Sequence, residues 1–275
     1  MLMQVRSLLR KVWRPMRRVQ RLLRRAKTVI EVKWPIFGRV LILIPERFWM
    51  FRIRFLVRSR AIEWSRLRLV FIHVPKCGGS SVNHALRVFG SFELRKLKTL
   101  YKYLLTNPSG PEIVSVVHWD SDFLVRSGLV SAELLEKVDS FATVRHPESR
   151  IASALGHLKR YGTISPEIGM DEFVSFICAG SWEPRFRTRW GLSHAMPAQL
   201  WLKPQLWPGP KQLFQYDDMQ AIEAYLAAQL GGRVTLEHRN QRPLGEDSPP
   251  VTNPLPPLCD KFLWDSETVR NLGSP

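Results

Sequence analysis

Two short stretches carry the residue types that anion chemistry requires. The first is Pro75-Lys-Cys-Gly-Gly-Ser-Ser81, which comes directly after the β-branched and aromatic run Leu69 to Val74. Gly78 and Gly79 let the backbone approach an anion closely and turn its N–H groups inward. Ser80 and Ser81 add hydroxyl donors, a helix after them adds the partial positive charge of its N-terminus, and Lys76 supplies a full charge. The stretch is a phosphate cradle of an unusual order. A Walker A loop needs Lys after its glycines, and here Lys76 precedes them. Alone, the same residues also read as a tight turn containing Gly-Gly. The second stretch is Val144-Arg-His-Pro-Glu-Ser-Arg-Ile-Ala-Ser153, about seventy residues on. Arg145 closes a strand pattern, at the end where open α/β sheets bind ligands. Ser153 lies two turns along the next helix, so a guanidinium and a hydroxyl could hold a second phosphate from one side. In isolation this is also what a capped helix with surface arginines looks like.

The elements that must position these residues are legible in outline. Leu69 to Val74 reads as a buried strand and the residues after the loop as a helix to Phe89. Ile113 to Val117 is a second strand, ending at His118. Ser131 caps a short helix. Ser140 to Val144 is a third strand, and Pro147 suits the first turn of a helix running to about Tyr161. Asp171 to Cys178 reads as a helix, Gln212 to Tyr216 as a fourth strand, and Asp217 to Leu230 as a helix closed by Gly231. Strands alternating with helices predict an α/β fold: a P-loop-like parallel sheet flanked by helices.

Taken together, the stretches resemble the two donor-binding motifs of sulfotransferases, usually PKTGGTS and VRDPxxRxxS. FIHVPKCGGSSV, the strand ending in His118, H-x-x-P-x-Q-x-x-L from His194, LFQYDDM and LEHRNQ are similar to the Golgi carbohydrate sulfotransferase group and its bacterial relatives, which include heparan sulfate 2-O-sulfotransferase. The resemblance covers roughly Leu69 to Gly273. It departs at Cys77 and Ser80, where Thr is usual, and at His146, where Asp is usual. It implies transfer of the sulfuryl group of 3′-phosphoadenosine 5′-phosphosulfate to a hydroxyl, with a carbohydrate or glycolipid as acceptor. Carried over residue by residue, Lys76, Cys77, Gly78, Gly79, Ser80 and Ser81 bind the 5′ side of the donor, and Arg145 and Ser153 the 3′-phosphate. His118 matches the family's catalytic base, with Asp120 in reserve, and Lys76 serves the leaving group. Arg150 and the remaining histidines, His73 among them, read as structural. The family needs no metal, and no metal-ligand spacing appears.

Charge divides the chain. Of its 41 Lys and Arg, 19 lie between Met1 and Arg68, against 3 of its 24 acids, so nearly all of the +17 net charge sits in the first quarter. Residues 1–66 read as a basic extension and 67–275 as the sulfotransferase domain. Within residues 1–30, Val5, Leu8, Leu9, Val12, Met16, Val19 and Leu23 recur at helical spacing among arginines, with Pro15 at a kink. That pattern fits a helix lying on an anionic membrane surface, and equally a solvated basic tail. No apolar run is long enough to span a bilayer. Three widely spaced cysteines without CxxC predict reduced thiols and a cytoplasmic protein, peripheral at the inner membrane face. Trp182, Trp190, Trp201 and Trp207 could stack on sugar rings or fill a core. The rival readings are a P-loop kinase, which lacks its lysine and an acidic Mg²⁺ ligand after a second strand, and a non-catalytic protein that binds membrane or nucleic acid through its head. No nucleic-acid partner is expected of the catalytic domain.

Overall fold

The computed structural model describes residues 51, 64–94, 97–107, 109–117, 119, 122–161, 164–179, 192–237 and 260–272. The chain divides into two units, 1–55 and 56–275, and the second holds the sheet and its helices. The amphipathic helix expected over residues 1–30, and nearly all of the 1–66 extension, lie outside the described residues.

The strand and helix periods of the sequence resolve into a five-stranded sheet and its covering helices. In chain order these are β1 (Leu69–His73), α1 (Gly79–Val88), β2 (Phe92–Leu94), α2 (Leu97–Thr106), β3 (Ile113–Val117), α3 (Phe123–Arg126), α4 (Ala132–Lys137) and β4 (Asp139–Val144). Then come α5 (Pro147–Arg160), α6 (Met170–Ala179), α7 (Gln199–Leu202), β5 (Gln212–Gln215), α8 (Met219–Leu230) and α9 (Leu263–Leu272). The strand order is β2-β3-β1-β4-β5, and every pairing is parallel. β1 and β3 are buried at every residue, which is why their sequences are mostly apolar without alternation, interrupted only by His73 and Ser115. On one face, Leu69, Phe71, Ile113 and Phe141 of the sheet pack against Val82 and Leu86 of α1 and Ile222 and Leu226 of α8. A second cluster joins Ile151, Leu155 and Leu158 of α5 to Phe173 and Ile177 of α6 and to Phe262.

The helix ends obey local chemistry. Ser131 accepts a bond from the Leu134 amide at 3.2 Å and caps α4. Asp218 caps α8 through the Ala221 amide at 3.1 Å, so this helix starts at Met219, two residues later than its period suggests. Gly231 closes it in the left-handed conformation. The register sets the site. His73 pairs with Val117, Ile72 with Ala142, and Val144 with Gln215. The carboxyl ends of β3, β1, β4 and β5 therefore stand side by side.

The structure corrects the expectation of reduced thiols at one position. Cys178 is disulfide-bonded. Cys77 is free and buried, so the partner lies outside the described residues. Wide spacing along the chain does not oppose pairing when a fold brings distant segments together; it excludes only local motifs. Among the described residues, no helix is long and apolar enough to cross a membrane.

Candidate anion-binding site

The loop after β1 turns sharply before it enters α1. Lys76 has φ 68° and Gly78 φ 74°, both in the left-handed region. For Gly78 this is unstrained. For Lys76 it is an uncommon conformation that costs free energy, and such strain persists where the surroundings impose it. The resulting turn leads directly into α1, whose N-terminus carries no side-chain cap. The Ser81 amide bonds the Gly78 carbonyl at 3.0 Å, and first-turn N–H groups in general lack acceptors one turn back, so this end of α1 can present backbone donors and a partial positive charge to an anion. Ser80 is exposed there and Lys76 half-buried, whereas Ser81 is buried.

Cys77 points the other way. Its side chain is wholly buried, and burial pushes its thiol up to about 12. Its carbonyl accepts from the Thr143 hydroxyl at 2.6 Å, and its sulfur donates to the Pro75 carbonyl at 3.7 Å. Cys77 therefore ties the loop to β4, and its thiol does not face solution.

Beneath the loop lies a buried polar chain that the sequence did not reveal. Asn83 of α1 donates from Nδ2 to His73 Nδ1 at 3.0 Å, and its Oδ1 accepts from the Ser115 hydroxyl on β3. His73, Asn83 and Ser115 are all buried. With Nδ1 accepting, the neutral imidazole carries its proton on Nε2. The ring edge sits directly under Gly79. A Cβ there would lie 2.7 Å from His73 Cγ and closer still to Cδ2 and Nε2. So the two glycines are required for different reasons: Gly78 for its dihedral angle, Gly79 for the imidazole packed against it.

Arg145 comes directly after β4, next to the loop. Its Nε donates to Ser149 Oγ at 2.9 Å, one turn along α5, and its guanidinium carbon lies 4.4 Å over the centre of the Tyr216 ring. Tyr216 comes directly after β5, anchored by its amide to the Val144 carbonyl at 2.8 Å. Ser149 and Tyr216 are the two contacts of Arg145 that sequence reasoning missed. The first was hidden by attention to Ser153, the next residue on that helical face, which is half-buried. The second is 71 positions away in the chain, and only the strand order brings it near.

The structure thus brings Lys76, Gly78, Gly79, Ser80 and Arg145 to one edge of the sheet, with Ser153 farther along α5. His118, the next residue after β3, lies outside the described residues, as does Asp120. Arg150 is fully buried. It donates to the Met196 carbonyl and, at 3.4 Å, to Asp265, which in turn accepts from the Ala198 amide at 2.6 Å and the Gln199 amide at 3.1 Å. Burial raises the Asp265 carboxyl, opposed by Arg150 and these amides. Arg150 pins α5 and α9 together. Trp201 and Trp207 are buried, which leaves them unable to stack on a sugar, and Trp182 and Trp190 lie outside the described residues. Compared with models of protein families, with curated proteins and with solved structures, the chain gives no match.

Proposed function

We propose that the protein is a sulfotransferase that moves the sulfuryl group of 3′-phosphoadenosine 5′-phosphosulfate to a hydroxyl of a carbohydrate or glycolipid. The observation that carries this reading is the adjacency of two anion-binding elements. The uncapped loop at Lys76 to Ser81 and the guanidinium of Arg145 follow neighbouring strands, and the Thr143 hydroxyl ties the Cys77 carbonyl of the loop to the second of them. A nucleotide with phosphates at two separated positions matches that pair better than a single polyphosphate chain does. The strand order, with the loop after the central strand, supports a P-loop-like member of the α/β class.

In this reading an acceptor oxygen attacks sulfur in line. The new S–O bond forms as the bond from sulfur to the bridging phosphate oxygen breaks. Charge develops on that oxygen, and Lys76 with the N–H groups at the start of α1 stabilises it, much as cations and dipoles do in phosphoryl transfer. His118 takes the proton of the acceptor hydroxyl. Arg145, with Ser153 beyond it, holds the 3′-phosphate.

Adenosine 3′,5′-bisphosphate should raise the melting temperature in the presence of a chelator. Donor-dependent transfer of labelled sulfate, screened over polysaccharides, glycolipids and phenols, identifies the acceptor. Lys76→Ala should lower turnover by roughly 10² to 10³, and His118→Ala by roughly 10² to 10⁴ with donor affinity kept. Equal stabilisation by ATP with Mg²⁺ overturns the assignment in favour of a kinase. Attachment to an anionic membrane through residues 1–30 belongs to the same proposal. The full chain should sediment with anionic vesicles in a salt-sensitive way, and a chain starting near Arg66 should not. The cytoplasmic placement of that membrane face is opposed by the disulfide at Cys178, because such bonds persist in oxidising compartments.

A further inference from the structure

We infer that Tyr216 is a positioning residue that holds Arg145 at a fixed offset from the anion loop, and so makes the site selective for ligands with two separated anionic groups. The inference rests on the reading of the loop and Arg145 as a nucleotide-binding pair.

Arg145 is restrained along its whole length. The backbone just before it is fixed, since the Val144 carbonyl accepts from the Tyr216 amide at 2.8 Å. The Arg145 Nε is committed to Ser149 Oγ at 2.9 Å. One face of its guanidinium lies on the Tyr216 ring, 4.4 Å from the centroid. Among the described residues no hydrogen bond reaches its two terminal nitrogens. A planar fork held by one edge and one face presents its remaining edge in a single direction.

Tyr216 also lies close to the loop. The position a Cβ of Gly78 would occupy lies 3.5 Å from the Tyr216 carbonyl oxygen and 3.6 Å from its Cβ and Cδ2. Tyr216 is therefore close to both the loop turn at Gly78 and the guanidinium. Its own backbone is fixed to β4 through the Val144 carbonyl. Without the ring, the guanidinium would be held through Nε alone, could swing about that bond, and would be fully ordered only when a ligand bound, at an entropic cost. That cost falls on the second anionic group alone. A ligand bearing only the group held by the loop never meets it. Tyr216 thus acts on the difference in affinity between a bisphosphate and a monophosphate. The phenol hydroxyl has no part in this, since the contacts are made by the ring and the backbone.

The test is calorimetric titration of the full chain with adenosine 3′,5′-bisphosphate and with adenosine 5′-monophosphate. The wild type should prefer the bisphosphate. Tyr216→Leu keeps bulk against Gly78 but has no π face. It should weaken bisphosphate binding roughly 5- to 30-fold, the range of a desolvated cation–π contact, and leave monophosphate binding within about twofold. Tyr216→Phe should keep both affinities. Combined with Arg145→Ala, Tyr216→Leu should cost no more than Arg145→Ala alone. Where Tyr216→Leu shows no cooperative melting, Tyr216→Met takes its place with the same expectation. A leucine variant that retains the bisphosphate preference, or that loses both ligands equally, overturns the role of Tyr216 alone. A wild type with no preference for the bisphosphate overturns the functional reading and this inference with it.

Discussion

Gly79→Ala is the sharpest test of how the loop is supported. The added methyl would sit 2.7 Å from His73 Cγ and nearer to Cδ2 and Nε2, where carbon atoms need about 3.5 to 4.0 Å. Ring rotation cannot relieve this, because Cγ does not move when the ring turns about its own axis. Either the backbone of α1 rises on the order of 1 Å, or His73 moves and breaks its bond to Asn83. Overpacking of this kind costs about 1 to 3 kcal/mol. Leaving the buried Asn83 amide without its partner adds about 1 to 3 kcal/mol. The better helix propensity of Ala returns at most about 1 kcal/mol. The net loss should be about 1 to 6 kcal/mol, a fall in Tm of about 2 to 24 °C for a domain of this size. Urea denaturation monitored by circular dichroism measures it. Gly169→Ala is the control: nothing lies within 4 Å of its Cβ position, and it should stay within about 0.5 kcal/mol of wild type. His73→Ala should partly rescue Gly79→Ala, the pair costing at least about 1 kcal/mol less than the sum. A Gly79→Ala protein as stable as wild type, or one additive with His73→Ala, refutes the claim that the imidazole dictates glycine here.

Cys77 should resist alkylation in the native protein at pH 8 and react once unfolded. Its folded pKa of about 12, against 9.0 for the free thiol, leaves about a thousandfold less thiolate. By the same linkage, Cys77 contributes stability that is whole below pH 9 and lost as pH rises toward 12, visible as a falling Tm over that range relative to Cys77→Ala. Lys76→Gly should relieve the left-handed strain, raising stability by about 1 kcal/mol in urea titrations while bisphosphate binding weakens. Arg150→Leu should cost about 3 to 5 kcal/mol by leaving Asp265 buried and uncompensated, and Arg150→Met with Asp265→Leu should restore much of it. A cost for the single variant below about 1 kcal/mol shows that the pair is not the pin between α5 and α9.

Those parts of the fold whose signals are local and long were legible in the sequence. β1, β3 and β4 are apolar runs that end in breakers, and α5 and α8 carry caps or closing residues at their ends. β2 escaped notice because Phe92–Leu94 is three residues long, too short for any period. α2 and α9 have helical spacing but no flanking caps that stand out. At the site, the residue types and spacing of the loop and of Arg145 were legible, because the chemistry of holding an anion limits the choice. Their supports were not. Thr143 reads as one more strand residue until it is seen to bond the Cys77 carbonyl, and Tyr216 reads as the end of a strand. Gly79 shows the limit best. Close approach to an anion is reason enough for glycine on sequence grounds, whereas the structure adds a cause below the loop, an imidazole that neither composition nor spacing points to. Cys178 fails in the same way, since pairing across long separations leaves no mark in the spacing.

The bond from Thr143 to Cys77 joins residues 66 positions apart, and Tyr216 comes later still. A ribosome makes β1, the loop and α1 well before it makes β4 or β5. Until those strands emerge, the loop has no hydroxyl to hold its carbonyl and no arginine beside it. Meanwhile β1, apolar on both faces, waits unpaired on one edge. Parallel pairing across such distances is slow and leaves adhesive surface exposed in the interval. On the proposed function, the capacity to bind a nucleotide should therefore appear as one of the last events of folding. A ligand present at that moment acts as a latch, drawing nascent chains into the finished state in proportion to its concentration over its dissociation constant.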